Sequence, residues 1–198
     1  MPRCNGKLGT KYDVELNLFT RTLAMFLNSE LLFPSVIKIN TRPVKLIKAV
    51  LGHLLSSKSV IDESKFDKKI RKYLFDDTAK LDTDIHIYYW IYPYQETVIF
   101  RDFALLYWNS QGKQMGMFQI LKYFPIAFIV TDKANYEGLN ELTIYKHLEL
   151  DTEVELLIRL DEVKARDWPE KVDDNTVMFM SAETGNGVHA RPKSKNTK

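Results

Sequence analysis

The chain has 198 residues, 45% of them hydrophobic and 27% charged, which suits a globular protein with a sizeable core and excludes a wholly disordered or fibrous chain. Its eight glycines and seven prolines exclude a collagen-like repeat, and the single Cys4 excludes an internal disulfide framework and fits a reducing compartment. The net charge of +2 conceals opposed blocks: residues 38–72 carry ten Lys or Arg against three acids (+7), 137–174 twelve acids against five bases (−7), and 181–198 four bases against one acid (+3).

Met1 to Lys11 is polar and has no apolar segment of the kind a secretory signal needs. Asp13 to Leu32 reads as a helix, with Leu16, Phe19, Leu23, Phe26 and Leu27 near a 3.6-residue period, Asp13 at its start and Pro34 ending it. Ser35 to Asn40 is β-branched enough for a short strand. The Asn40-Thr41-Arg42-Pro43 run then starts a helix to about Ser56, because proline suits the first helical turn. That helix buries Leu46, Ile47, Val50, Leu51, Leu54 and Leu55, while Arg42, Lys45 and Lys48 recur three residues apart on its other side. A third helix is expected over Asp62 to Phe75, with Phe66, Ile70, Tyr73 and Leu74 inward and Lys65, Lys68, Lys69 and Lys72 outward.

Residues 84–132 hold thirteen of the twenty-four aromatic side chains, so this stretch is expected to be the buried sheet that the other segments cover. Strands are placed at Asp84–Tyr92 and Thr97–Trp108, joined as a hairpin by Pro93-Tyr94-Gln95-Glu96. In the first, Ile85, Ile87, Tyr89 and Ile91 share one face and His86, Tyr88, Trp90 and Tyr92 the other. Both faces are apolar, so helices are expected over one and a loop or a partner over the other. A turn at Asn109–Gly112 leads to Met115–Phe124, read as a strand although it alternates poorly, and then to a strand at Ile126–Thr131. Met115 to Val130 is the most membrane-like run, but Gln119, Lys122 and Pro125 interrupt it and it falls short of the roughly 20 residues a spanning helix requires. Leu142–Leu150 and Glu153–Asp161 read as a further hairpin, and Asn175–Met180 as a last strand.

The fold class is therefore α+β, with three N-terminal amphipathic helices packed on a mainly antiparallel, aromatic-rich sheet. Residues 1–180 are read as one domain and 181–198 as a disordered basic tail. The chain is expected to be soluble and intracellular, in the cytoplasm or nucleus, with no membrane contact.

The residues suggest three kinds of function. Several cations on one face suit phosphate, and Arg42, Lys45, Lys48, Lys65, Lys68, Lys69 and Lys72 supply them for contact with a nucleic-acid backbone. Three helices before a hairpin resemble in outline a winged helix-turn-helix, yet the aromatic hairpin is unsuited to a solvated wing and the third helix lacks base-reading side chains. An assembly subunit or homo-oligomer is the second reading, with Tyr88, Trp90, Tyr92 and Trp108 as interface anchors, although an ordinary two-sided core accounts for each of them more simply.

The third kind is enzymatic. Glu15, Asp84 and Gln111-Gly112-Lys113 imitate the acids and lysine of a metal-dependent nuclease, and Lys113-Gln114-Met115-Gly116-Met117-Phe118 resembles the phosphate-cradling turn of the N-acetyltransferases, with Phe118 where a small residue belongs. The histidines His53, His86, His147 and His189 show no metal-ligand spacing, and no nucleophile signature is present. The sequence thus favours a non-enzymatic binding or assembly subunit that contacts nucleic-acid backbone without metal or cofactor; a small nuclease-like or acyl-CoA-dependent transferase-like enzyme is the alternative.

Overall fold

The computed structural model describes residues 9–29, 35–58, 63–109, 112–133, 136, 138–161, 163–171 and 176–191, excepting the side chains of 107–109. It is an α+β fold in which three helices lie on a mainly antiparallel sheet rich in aromatic residues. Helix α1 (Asp13–Leu27) buries Leu16, Phe19 and Leu23. Strand β1 (Val36–Thr41) follows, and helix α2 (Pro43–Ser56) starts with proline in its first turn and buries all six apolar residues expected of it. Helix α3 (Lys65–Phe75) begins two residues after Glu63 because the Ser64 side chain accepts from Asp67 N (3.1 Å) while Asp67 accepts from Ser64 N (3.3 Å), a reciprocal cap.

Strands β2 (His86–Ile91), β3 (Thr97–Asn109), β4 (Gly112–Tyr123), β5 (Ile126–Thr131) and β6 (Asn140–Glu141) come next, then a short 3-10 turn at Thr143–Tyr145. Strands β7 (Val154–Arg159), β8 (Thr176–Met180) and β9 (Asn186–Ala190) complete the described elements. The order in the main sheet is β6-β2-β5-β4-β3-β8, with β9 also on β3; these strands pair antiparallel, and an isolated parallel bridge joins Ile91 of β2 to Val163. A separate two-stranded sheet pairs β1 with β7 from Val36 opposite Arg159 to Thr41 opposite Val154.

Three expectations about pairing are corrected. Strands β2 and β3 do not form a hairpin, since β5 and β4 lie between them. Three strand spacings come to roughly 14 Å, which residues 92–96 can span in extended form. The segment 142–150 is a 3-10 turn and bends instead of a strand, so β7 pairs with β1. Residues 186–190, assigned to a disordered tail, form β9 against Thr97–Arg101, held further by His189 and Arg191 on the Glu96 carboxylate at 2.9 and 3.0 Å. Ambiguous Met115–Phe124 proves to be strand as far as Tyr123, with Phe124 in the following turn; the first predicted helix stops at Leu27, short of the expected Leu32, and 30–32 lie outside the described residues.

The alternation in β2 sorts the two cores. Ile87, Tyr89 and Ile91 join Leu121, Phe128 and Val130 beneath the helices. Tyr88, Trp90 and Tyr92 join Phe103, Phe118, Ile120 and Ile129 on the opposite face, which is covered from within the chain by Tyr136, Leu139 and Trp168. Trp168 meets Trp90 edge-on at 5.0 Å. Lys122, fully buried, fixes this cover by donating to the carbonyls of Arg166 (2.9 Å) and Trp168 (3.1 Å) and pairing with Glu170. No helix among the described residues is long and apolar enough to cross a membrane.

Candidate functional site

The seven predicted phosphate-binding cations separate into three groups. Arg42 lies at the start of α2 and bonds Glu15 (3.2 Å) and Glu153 (3.3 Å), while Lys45 pairs with Asp151 at 2.5 Å. Lys48 is 2% exposed, so it is corrected from surface to interior: its ammonium donates to the Tyr73 carbonyl and sits 4.1 Å from the Tyr73 ring centre. The α3 residues differ. Lys65, Lys68 and Lys72 are exposed on one stripe and make no ion pair among the described residues, whereas Lys69 bridges Asp82 (2.8 Å) and Asp84 (2.9 Å).

The predicted interface anchors are also relocated. Tyr88, Trp90 and Tyr92 are 2, 4 and 0% exposed, filling the second core instead of facing a partner. Trp108 lies in β3 opposite Lys113, with its side chain outside the described residues. The enzyme-like patterns do not assemble. Glu15 is buried and accepts from Thr41 Oγ1 (2.7 Å) and Arg42 N (2.8 Å), tying α1 to β1 and α2, while Asp84 is occupied by Lys69. Gln111 is outside the described residues. Lys113 to Phe118 runs inside β4, so no helix N-terminus follows Gly116 as a phosphate cradle requires. No group of three or more His, Cys, Asp or Glu among the described residues is placed to hold a metal ion.

A different site stands out at the middle of β3. Its pairing with β4 shifts between Phe100 and Phe103, so Arg101 and Asp102 form a bulge. On the other side β9 pairs with residues 97–101 and β8 with 103–107, and the segment 181–185 loops out where the two halves meet. The edge is one interrupted strand, broken opposite Asp102. Gly185 makes the loop possible, since a Cβ there would come within 2.4 Å of the Ser181 carbonyl oxygen, to which Gly185 N donates at 3.0 Å.

Two buried charges point different ways from this bulge. Arg101, 1% exposed, pairs with Asp67 of α3, which also receives Lys58 at 3.2 Å. Asp102, 4% exposed, is the only non-glycine with positive φ (53°) among the described residues. It lines a cavity of about 390 Å³ under the N-terminal turn of α3, together with Phe66, Ile85, Met117, Phe118 and Val130 as the apolar wall. Polar groups converge there too: Gln119 and Thr131 from the sheet, Thr184 from the loop, and Lys65 and Lys69 from α3. Gln119 Nε2 donates to Asp102 Oδ1 at 3.2 Å. Asp102 Oδ2 and Gln119 Oε1 have no hydrogen-bond partner of sound geometry among the described residues. Burial pushes the Asp102 carboxyl up from its ordinary value, against the opposing pull of the nearby Thr184 hydroxyl and Arg101 guanidinium.

Sequence reasoning passed over Asp102 because a charged pair within an apolar strand looks like an outward-facing interruption. The signal was nevertheless present: in Val98-Ile99-Phe100-Arg101-Asp102-Phe103-Ala104-Leu105 the alternation slips by one residue at Arg101-Asp102, as a bulge demands. Comparison of the chain with protein-family models, curated proteins and solved structures finds no match in any of the three.

Proposed function

We propose that the protein is a non-enzymatic binding or assembly subunit that contacts a nucleic-acid backbone through the outer face of α3. The observation that supports this reading is the stripe of Lys65, Lys68 and Lys72, exposed and without an ion pair among the described residues. Arg42, Lys45 and Lys48 drop out of the surface first expected, because acids or the interior hold them. Three contacts give weak binding that reads charge and not sequence, with log K falling against log salt at a slope of about −2 to −3.

The test is fluorescence anisotropy with single- and double-stranded oligonucleotides over a salt series. Reversing Lys68 and Lys72 to Glu, at positions away from the cavity, should lower the magnitude of the slope by about 2 and leave the melting temperature unchanged. Binding that survives the double reversal, or that ignores salt, overturns the assignment of this surface.

A further inference from the structure

We propose that the open edge of β8 receives an extended segment of another protein, added as a further strand, whose centre is apolar and uncharged and whose ends carry Lys or Arg. The inference goes beyond the α3 surface and stands without it. It rests on the direction of the backbone groups along β8, on the side chains that border it, and on the charge at its ends.

The direction follows from the ladder. Asp132 N donates to the Met117 carbonyl at 3.4 Å, so Met117 turns its backbone groups toward β5, and its neighbours Gly116 and Phe118 turn theirs toward β3. Their partners Leu105 and Phe103 therefore face β4, which leaves Ala104 and Leu106 facing Phe179 and Val177 of β8. By the same alternation Met178 and Met180 point their N–H and C=O away from the sheet, where no strand lies among the described residues. Ser181 N, donating to Asp102 O at 2.9 Å, keeps the same phase. The opposite edge of the sheet is blunted, because β6 has only two residues. Strand β8, Thr176-Val177-Met178-Phe179-Met180, has no charge, proline, glycine or bulge to blunt it.

The bordering side chains are apolar and open. On one face the cross-strand rows run Met117–Ala104–Phe179 and Met115–Leu106–Val177. Their outer members are exposed, Met115 to 67% and Phe179 to 47%, and Met180 is 53% exposed on the other face. An added strand would lay its own apolar side chains beside Val177 and Phe179, while the main-chain bonds hold it in register. Charge then selects the partner. Glu183 follows the strand, exposed and without an ion pair among the described residues, and Asp173 and Asp174 precede it in the sequence. Cations at both ends of the incoming segment complement these acids. Pairing β8 with the β8 of a second copy would set acids against acids, so the segment comes from a different sequence.

The probe is a peptide of alternating Val and Thr, long enough to span β8, with a pair of Lys at each end; it is titrated into the full chain while hydrogen exchange of the backbone amides is followed. Binding that saturates by about 1 mM is expected. Exchange should slow at least about fivefold at Met178 and Met180 and stay unchanged at Val177 and Phe179, whose amides β3 already holds. The same peptide ended in Glu should bind at least about tenfold more weakly. Met180→Pro removes an outward N–H and spares the bonds to β3, so it should fold and lose at least about tenfold in affinity. Phe179→Lys, which sets a charge on the exposed face of the edge, should do the same and decides the matter if the proline variant does not fold. No saturable binding, protection that misses Met178 and Met180, equal binding of the Glu-ended peptide, or unchanged affinity in a folded variant overturns the proposal. So does self-association of the free chain that protects the same two amides, which would give the edge to a second copy.

Discussion

Asp102 stands in a backbone conformation that costs an L-residue roughly 1–2 kcal/mol, although aspartate tolerates it better than most. Its carboxyl is moreover buried, and Oδ2 has no hydrogen-bond partner of sound geometry among the described residues. Asp102→Gly should therefore raise stability at neutral pH by about 1 kcal/mol in urea denaturation, after subtracting the entropy that glycine adds to the unfolded chain. The pH dependence has a definite sign. Burial raises the carboxyl's pKa in the folded state, partly countered by Thr184 and Arg101 and augmented by the Asp67 charge, so the native state holds the proton after the unfolded chain has lost it. Stability contributed by this group falls as pH rises from the ordinary value of 3.8 through the raised one. The urea midpoint of Asp102→Asn should accordingly gain on that of the wild type across this window and hold a constant lead above it. A lead that shrinks as pH rises would mean that the carboxylate is stabilised, not strained.

At the scale of the element, the first turn of α3 combines two tasks in one residue. Asp67 caps the Ser64 amide and is also the anion for Arg101 and Lys58. Ser64→Ala removes only a cap, costing about 1 kcal/mol, whereas Asp67→Ala leaves Arg101 buried without its counter-charge and should cost roughly 3–5 kcal/mol. Chemical denaturation of both variants checks the ratio; similar losses would show that Arg101 finds another partner. The cap was readable in the sequence as Ser64 followed three residues later by Asp67, and so were the apolar stripes of all three helices, because each is fixed by local spacing. The Arg101–Asp67 pair was not, since it joins a strand to a helix across the fold. Lys48 misled for a related reason: its three-residue spacing from Lys45 put it on a basic face, but Tyr73 from α3 supplies a carbonyl and a ring that hold an ammonium indoors.

Over the whole molecule, the opposed charge blocks of the sequence close on each other. Pairing of β1 with β7 brings Glu155 to Lys38 at 2.7 Å and carries Glu153 and Asp151 to Arg42 and Lys45. A basic segment and an acidic one thus neutralise each other within the chain, while Lys65, Lys68 and Lys72 on α3 make no ion pair among the described residues. Strand existence and face alternation were legible in β2, where Ile87, Tyr89 and Ile91 separate from Tyr88, Trp90 and Tyr92 as the two-residue period requires. Strand pairing was not, because nothing local in Pro93-Tyr94-Gln95-Glu96 distinguishes a hairpin turn from a link that crosses the ends of two other strands.

That crossing has a consequence for the birth of the protein. Strand β2, with the sequence His86-Ile87-Tyr88-Tyr89-Trp90-Ile91, pairs among the described residues with β5 and β6 and bridges Val163 through Ile91, all synthesised after it, and β1 must wait for β7. At about 5–20 residues per second on the ribosome, the most aromatic strand of the chain emerges seconds before either of its neighbours exists. The helices can form on local contacts, while closure of both sheets depends on distant ones and is correspondingly slow. Pulse-labelled hydrogen exchange during refolding should protect the amides of α2 and the β3–β4 hairpin before those of β1 and β2; simultaneous protection would contradict this order. During that interval an exposed Tyr-Tyr-Trp strand is the natural substrate of a holding chaperone, and the nascent chain's yield should depend on one more than its mature stability would suggest.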